Sequence, residues 1–153
     1  YIVARMTESL IEGDKMNEVP INHCLEIGTG CGYQTYILSL FSKKVTSVER
    51  IEPLQDKAKE TLKNLGVRNV TFKIDDGNNL GRLKYDAILS AAAPLSVPST
   101  LKERLAVGGR LILPVGDSQR QVLTLIHRID NDSYEEKRLE DVLFVPLLKG
   151  IVS

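Results

Sequence analysis

Three glycines stand at alternate positions in the run Leu25-Glu-Ile-Gly-Thr-Gly-Cys-Gly-Tyr-Gln34, directly after an apolar stretch that reads as a strand. A glycine turn between strand and helix lets a ligand approach the backbone, and it offers a negative group the amides of the helix start. The dinucleotide fingerprint G-x-G-x-x-G is not met. From Gly28 the third glycine comes one residue early, at Gly32, and Tyr33 stands where the last glycine belongs. Glu49 closes the next β-branched run 21 residues after Gly28. There an acidic side chain can accept hydrogen bonds from both hydroxyls of a ribose, which favours an adenosine-containing ligand with a free 2′-hydroxyl. The competing reading of Glu49 is a solvated strand end paired with Arg50. Asp76-Gly77 closes a third run and supplies another acceptor beside a close backbone.

These groups converge only if the runs lie side by side in one sheet. The pattern predicts strands over 22–27, 45–48, 70–74, 85–90 and 110–115, with helices over 32–43, 53–64 and 98–105 between them and a turn at Gly108-Gly109. Pro53 at the start of the second helix and Gly66 just past its end are placed as helix boundaries should be. Val3, Met6 and Leu10 recur at helical spacing before the first strand. Two further strands, 121–129 and 140–148, follow with no helix between them and should pair antiparallel, joined by a turn at Asn131-Asp-Ser133. The expected fold is α/β: a Rossmann-like, doubly wound, mainly parallel sheet with helices on both faces and a C-terminal antiparallel hairpin. Residues 1–153 form a single domain in this reading. Its ligands bind at the carboxyl ends of the strands, near the point where strand order reverses.

Composition sets the outer limits. Twenty basic side chains balance twenty acidic ones, which gives no electrostatic case for nucleic acid or an anionic membrane as a partner. No apolar run approaches the length of a membrane span and no signal peptide is visible, so the expected location is the cytoplasm; a monomer is expected, although the sequence does not fix oligomeric state. Cys24 and Cys31 lack metal or redox spacing and read as reduced, buried, structural thiols. His23 and His127 read as structural, and no metal is expected.

The ordered series of motifs resembles the protein-L-isoaspartate O-methyltransferase family. They are Leu25 to Thr35, Ser47-Val-Glu-Arg50, Asp76-Gly77, Tyr85-Asp-Ala-Ile88, Ala91-Ala-Ala-Pro94, Gly108-Gly-Arg-Leu-Ile-Leu-Pro-Val-Gly116 and Phe144-Val-Pro-Leu147. The glycine loop and Glu49 are general to S-adenosylmethionine (SAM) methyltransferases, whereas the last three segments are specific to this family. The resemblance implies SAM as cofactor, S-adenosylhomocysteine (SAH) as product, and isoaspartyl proteins and peptides as partners. It implies methylation of the free α-carboxylate of L-isoaspartyl residues, which initiates repair. It places Gly28, Thr29 and Gly30 along the methionine and ribose of the cofactor, Glu49 on the ribose with Arg50 beside it, and Asp76 with Gly77 at the adenine. Glu26 would offset the sulfonium charge or else orient the loop. Ala92, Ala93 and Pro94 would flank the methyl-transfer site, Ala92 on the cofactor side, and Val145, Pro146 and Leu147 would shape the peptide groove or be plain core strand.

The chain departs from the pattern in two places. Asp75 stands where the family often has glycine. The family's Thr-Ile-Ser-x-Pro segment, with its active-site serine, is expected upstream of Tyr1, so the catalytic role is assigned to no serine present, and the chain by itself is expected to be weakly active or inactive. The alternatives are a non-catalytic SAM-binding module and another O-methyltransferase of the same class, including a metal-dependent one using Asp75, Asp76 and Asn78. Amino methylation is disfavoured by Ser90-Ala-Ala-Ala-Pro94 in place of an Asn/Asp-Pro-Pro-aromatic motif, and NAD-dependent dehydrogenation by Tyr33.

Overall fold

The computed structural model describes residues 1–12 and 21–153. Its elements, in chain order, begin with α1 (Ile2–Ile11), β1 (Ile21–Ile27), α2 (Tyr33–Phe41), β2 (Ser42–Glu49), α3 (Glu52–Asn64) and β3 (Val70–Ile74). They continue with β4 (Tyr85–Ser90), β5 (Ala92–Ala93), α4 (Ser99–Glu103), β6 (Leu105–Gly116), β7 (Gln121–Arg128), β8 (Tyr134–Val142) and β9 (Val145–Pro146). Seven strands form one sheet in the order β3-β2-β1-β4-β6-β7-β8, while β5 and β9 make a separate parallel pair. The pairings from β3 through β6 are parallel, and those of β6 with β7 and β7 with β8 are antiparallel. The chain steps outward from β1 to β3, then returns to lay β4 on the other side of β1. The order reverses between β1 and β4, which is where a crevice opens in such sheets.

Alternation along the strands builds two cores. Cys24 and Val45 face one side with Ala87 and Leu89, where Met6 and Leu10 of α1 and Leu38 of α2 cover them. Leu25, Ile27, Val48 and Ile88 face the other side with Leu111, covered in part by Leu101 of α4. The spacing of Met6 and Leu10 thus reports a buried helix stripe, as predicted. Helix α3 sets Ala58 and Leu62 against Gly32 at the start of α2.

The strands predicted over 70–74 and 85–90 match β3 and β4. Other boundaries differ, each for a tertiary reason. Helix α2 stops at Phe41 because Ser42 to Lys44 pair with β1, and the Asn69 side chain takes the carbonyls of Ser39 and Ser42 at 2.9 Å each. Helix α4 is shorter than predicted because Leu105 leaves it to pair with Tyr85. Gly108-Gly109 is not a turn between elements but part of an irregularity inside β6, where the register with β4 shifts between Tyr85 and Ala87. The last predicted strand, 140–148, is split. Its polar lead-in, 134–142, is the edge strand β8, and 143–148 leaves the sheet so that Val145 and Pro146 can pair with Ala92 and Ala93. The turn at Asn131 to Ser133 is formed as predicted, with Asp130 Oδ1 accepting from the Asp132 and Ser133 amides at 2.8 Å.

At Gly109 the backbone of β4 and of the bulged start of β6 comes too close for a side chain. An added Cβ would lie 2.8 Å from Ala106 O, 3.0 Å from Tyr85 O and 3.1 Å from Asp86 O. Gly109→Ala is therefore expected to lower folding stability by about 2–3 kcal/mol, as overpacking against rigid backbone does. Urea denaturation with an unchanged slope would check this.

Candidate functional site

The switch point gathers the ends of four strands through main-chain bonds. Gly28 N–H donates to Val48 O at 2.8 Å, Ala91 N–H to Ile27 O at 2.9 Å, and Asp75 N–H to Glu49 O at 3.0 Å. Gly28 holds φ +94°, a backbone conformation that residues with a side chain rarely adopt, so the turn favours glycine there.

Above these ends lies a cavity of about 450 Å³, within the roughly 300–1,000 Å³ of small-ligand sites. Of the residues predicted to meet cofactor, Gly28, Gly30, Glu49, Arg50, Asp76 and Ala92 line it. Of those predicted for substrate, Val145, Pro146 and Leu147 line the same cavity. Val145 and Pro146 are exposed, which does not suit the plain-core reading for these two, whereas Leu147 is half-buried and packs on the core. Ala93 and Pro94 are not on the cavity wall. They hold it in place instead: Ala93 O accepts from Leu147 N–H at 2.9 Å and Pro94 O from Gly116 N–H at 3.0 Å.

Glu49 is neither solvated nor ion-paired with Arg50. It is buried, and its carboxylate collects three backbone donors: Gly30 N–H on Oε2 at 3.0 Å, and the Arg50 and Ile51 amides on Oε1 at 2.9 and 3.0 Å. The glycine turn is thus tied to the end of β2 through one side chain. The Arg50 guanidinium turns away and donates from Nε to Gly150 O at 3.1 Å.

Glu26, Thr29 and Gly77 do not line the cavity. Glu26 is fully buried beneath the loop, with Oε1 accepting from Ser47 Oγ at 2.6 Å and from Thr35 Oγ1, and with Oε2 unpartnered. Ser47 Oγ also lies 2.6 Å from Thr29 Oγ1, so a line of hydroxyls joins Glu26 to the glycine turn. Burial pushes the Glu26 carboxyl up to about 7. The negative charge of Glu49 adds to this, and the bonds from Ser47 and Thr35 oppose it. Gly77 packs on Ile27 from behind, and its N–H donates to Asp75 Oδ1 at 2.8 Å.

Asp76 Oδ1 accepts from Asn78 N–H at 3.1 Å and Oδ2 from Gly150 N–H at 2.8 Å; chiefly the Gly150 bond holds its carboxyl below the usual range. The oxygens of Asp75 and Asp76 engaged in this turn face backbone amides, and among the described residues no cluster of three His, Cys, Asp or Glu side chains is arranged to hold a metal. His23 lies at the start of β1 with Nε2 2.8 Å from Thr46 Oγ1, away from the cavity. Cys24 is buried as predicted, and burial pushes its thiol up, but Cys31 is exposed because it sits at the tip of the glycine turn.

The cavity walls also contain Ile27, Val48, Ile51, Leu54, Asp75, Ala91 and Leu148, which sequence reasoning missed. Most are apolar neighbours of the polar strand ends. The clue was Ile51 and Leu54 flanking Pro53 on the exposed first turn of α3, where an apolar pair needs a partner. Apolar walls, a close glycine backbone and a buried carboxylate acceptor suit a nucleoside with an attached thioether chain.

A profile of the family described as protein-L-isoaspartate (D-aspartate) O-methyltransferase (PCMT) matches residues 1–151. The chain belongs to the PCMT family. It is 51% identical over 157 residues to the protein-L-isoaspartate O-methyltransferase of Saccharophagus degradans, covering 99% of this chain and 67% of that relative. With the enzyme of the same name from Burkholderia cenocepacia the identity is 46% over 99% of this chain, which spans 48% of that relative. A solved Plasmodium falciparum chain described as a PCMT, in complex with S-adenosyl-L-homocysteine, superposes with a TM-score of 0.77 at 25% identity. That match covers 96% of this chain and 71% of the other. The cofactor of the PCMT family is SAM, and the apolar walls, glycine backbone and carboxylate acceptor of the cavity fit it.

Proposed function

We propose that this chain transfers a methyl group from SAM to the free α-carboxylate of L-isoaspartyl residues in damaged proteins and peptides. The observation that carries this reading is the buried carboxylate of Glu49, fixed against the glycine turn inside an apolar cavity, in a chain that matches the PCMT family along nearly its whole length. When bound, SAM supplies a methyl group already activated on a sulfonium.

The residues of the chain bind, orient and exclude water. Glu49 accepts the ribose hydroxyls while its Gly30 bond holds the loop in register. Ile27, Ile51 and Leu54 would give the nucleoside an apolar bed, with the Asp76 turn closing its far edge. Glu26 acts from beneath through Ser47 and Thr29, setting the loop. Ala92, paired to Val145, separates cofactor from peptide, and Pro146 and Leu147 face the peptide side. The substrate carboxylate has a reference pKa of roughly 3.3–3.7, so it is ionised at neutral pH and needs no general base. The cavity and the 145–147 wall would hold that carboxylate in line with the bound cofactor, and alignment with exclusion of water would supply the rate.

We further infer one domain over 1–153 that works as a monomer in the cytoplasm. No helix among the described residues is long and apolar enough to cross a membrane, and the open edge β8 is mostly exposed and charged. Sedimentation at a mass of 17 kDa would agree with the monomer.

The test is titration with SAH by calorimetry, followed by transfer of labelled methyl from SAM to an isoaspartyl peptide and to its aspartyl twin. Weak label in the first peptide and none in the second is the expected result. Binding of SAH without transfer to either would favour a non-catalytic SAM-binding module, and no binding would refute the site.

A further inference from the structure

The segment after β9 runs from the cavity wall at Leu148 to the β2–α3 turn and is fastened at both ends. At one end Leu147 N–H donates to Ala93 O. At the other, Val152 N–H donates to Arg50 O at 2.7 Å and Glu52 N–H to Val152 O at 2.9 Å, a parallel bridge onto the β2–α3 turn. Between them Gly150 is gripped on both sides: its N–H by Asp76 Oδ2 at 2.8 Å and its carbonyl by Arg50 Nε at 3.1 Å. Leu148 forms part of the cavity wall, as do the two gripping residues.

Leu147 packs on the core, but every residue of the segment from 148 to 152 is exposed. Leu148, Ile151 and Val152 are 50%, 59% and 45% exposed, so a few hydrogen bonds at the surface hold it. Segments with few buried contacts and exposed backbone bonds open at much lower cost than the fold as a whole. Arg50 and Asp76 therefore spend their polar groups on the chain itself, at the edge of the cavity where the proposed function puts adenosine.

We propose that residues 148–152 form a strap over the adenosine end of the cavity, latched by Arg50 and Asp76 on Gly150, and that its release gates exchange of cofactor and product. The proposal rests on the reading of the cavity as the SAM site. Arg50 and Asp76 are then positioning residues, acting on the cofactor through the strap.

The test uses two variants of the whole chain. Gly150→Pro removes the donated N–H and also bars the φ of +87° that Gly150 holds, so it unseats the strap at its centre, and Arg50→Met removes the guanidinium while keeping an apolar stem. Amide exchange at Val152 and Glu52 reports the strap, and a chase of bound SAH reports release. In the parent chain, SAH should slow exchange at both amides. Each variant should speed exchange there and raise the SAH release rate about tenfold, the scale of one lost charge-assisted hydrogen bond, with the ligand-free melting temperature unchanged. Faster amide exchange with unaltered SAH release overturns the gate, and unaltered amide exchange in both variants overturns the latch. A parent chain that binds no SAH overturns the site reading, and the strap proposal falls with it.

Discussion

Glu49→Ala is expected to weaken SAM and SAH binding about 100- to 1,000-fold, the largest effect of any single substitution in the cavity. Two contributions add. Hydrogen bonds between a charged acceptor and the ribose hydroxyls are worth roughly 1.5–3 kcal/mol each. In addition, the amides of Gly30, Arg50 and Ile51 lose their common acceptor, so the glycine turn is no longer pinned to β2. Glu49→Gln keeps one acceptor oxygen and should fall between, at about 10- to 30-fold. Calorimetric titration with SAH measures both. Equal affinity of the alanine variant and the parent chain would remove Glu49 from the site.

The second large effect is a dependence of stability on pH, set by Glu26. Its ordinary value is 4.5, and in the folded chain burial raises it to about 7. Below pH 4.5 the carboxyl is protonated in both states, and its contribution to stability is fully present. From there to about 7 the unfolded chain releases the proton and the folded chain keeps it, so unfolding grows more favourable as pH rises. Above about 7 both states are ionised and the loss is complete. The shift corresponds to a fall of about 3 kcal/mol across that window. Glu26→Gln abolishes that part of the slope. It costs about 1–2 kcal/mol at pH 5, because its amide nitrogen replaces an oxygen that has no partner, and should equal or exceed the parent by pH 9. Chemical denaturation from pH 4 to 9 checks both curves; parallel curves would mean Glu26 does not titrate there.

How far the sequence could be read depended on the kind of signal each segment carries. Val70 to Ile74 and Tyr85 to Ser90 are β-branched or apolar runs with sharp ends, and local pattern suffices for them. Lys43 and Lys44 suit a helix as well as a strand, and only pairing with β1 decides. Strand β8 had no apolar alternation to find, because an exposed edge does not need one. In the site, Gly28, Gly30 and Glu49 were legible since glycine and carboxylate at strand ends carry chemical meaning. Ile51 and Leu54 carry none by themselves. The grip of Asp76 on Gly150 joins residues 74 apart, a distance over which spacing says nothing.

The cavity wall is assembled from five stretches, around residues 27–30, 48–54, 75–76, 91–92 and 145–148, which run through most of the chain. No subset of neighbouring elements holds enough of it to bind by itself. A ligand seated there is therefore linked to the folded state as a whole, and it stabilises the native chain by RT ln(1 + [L]/Kd). At a ligand concentration about 100 times Kd this is roughly 2.7 kcal/mol, a large share of what holds a domain of this size together. Cofactor supply would then govern the lifetime of this protein against proteolysis as well as its turnover.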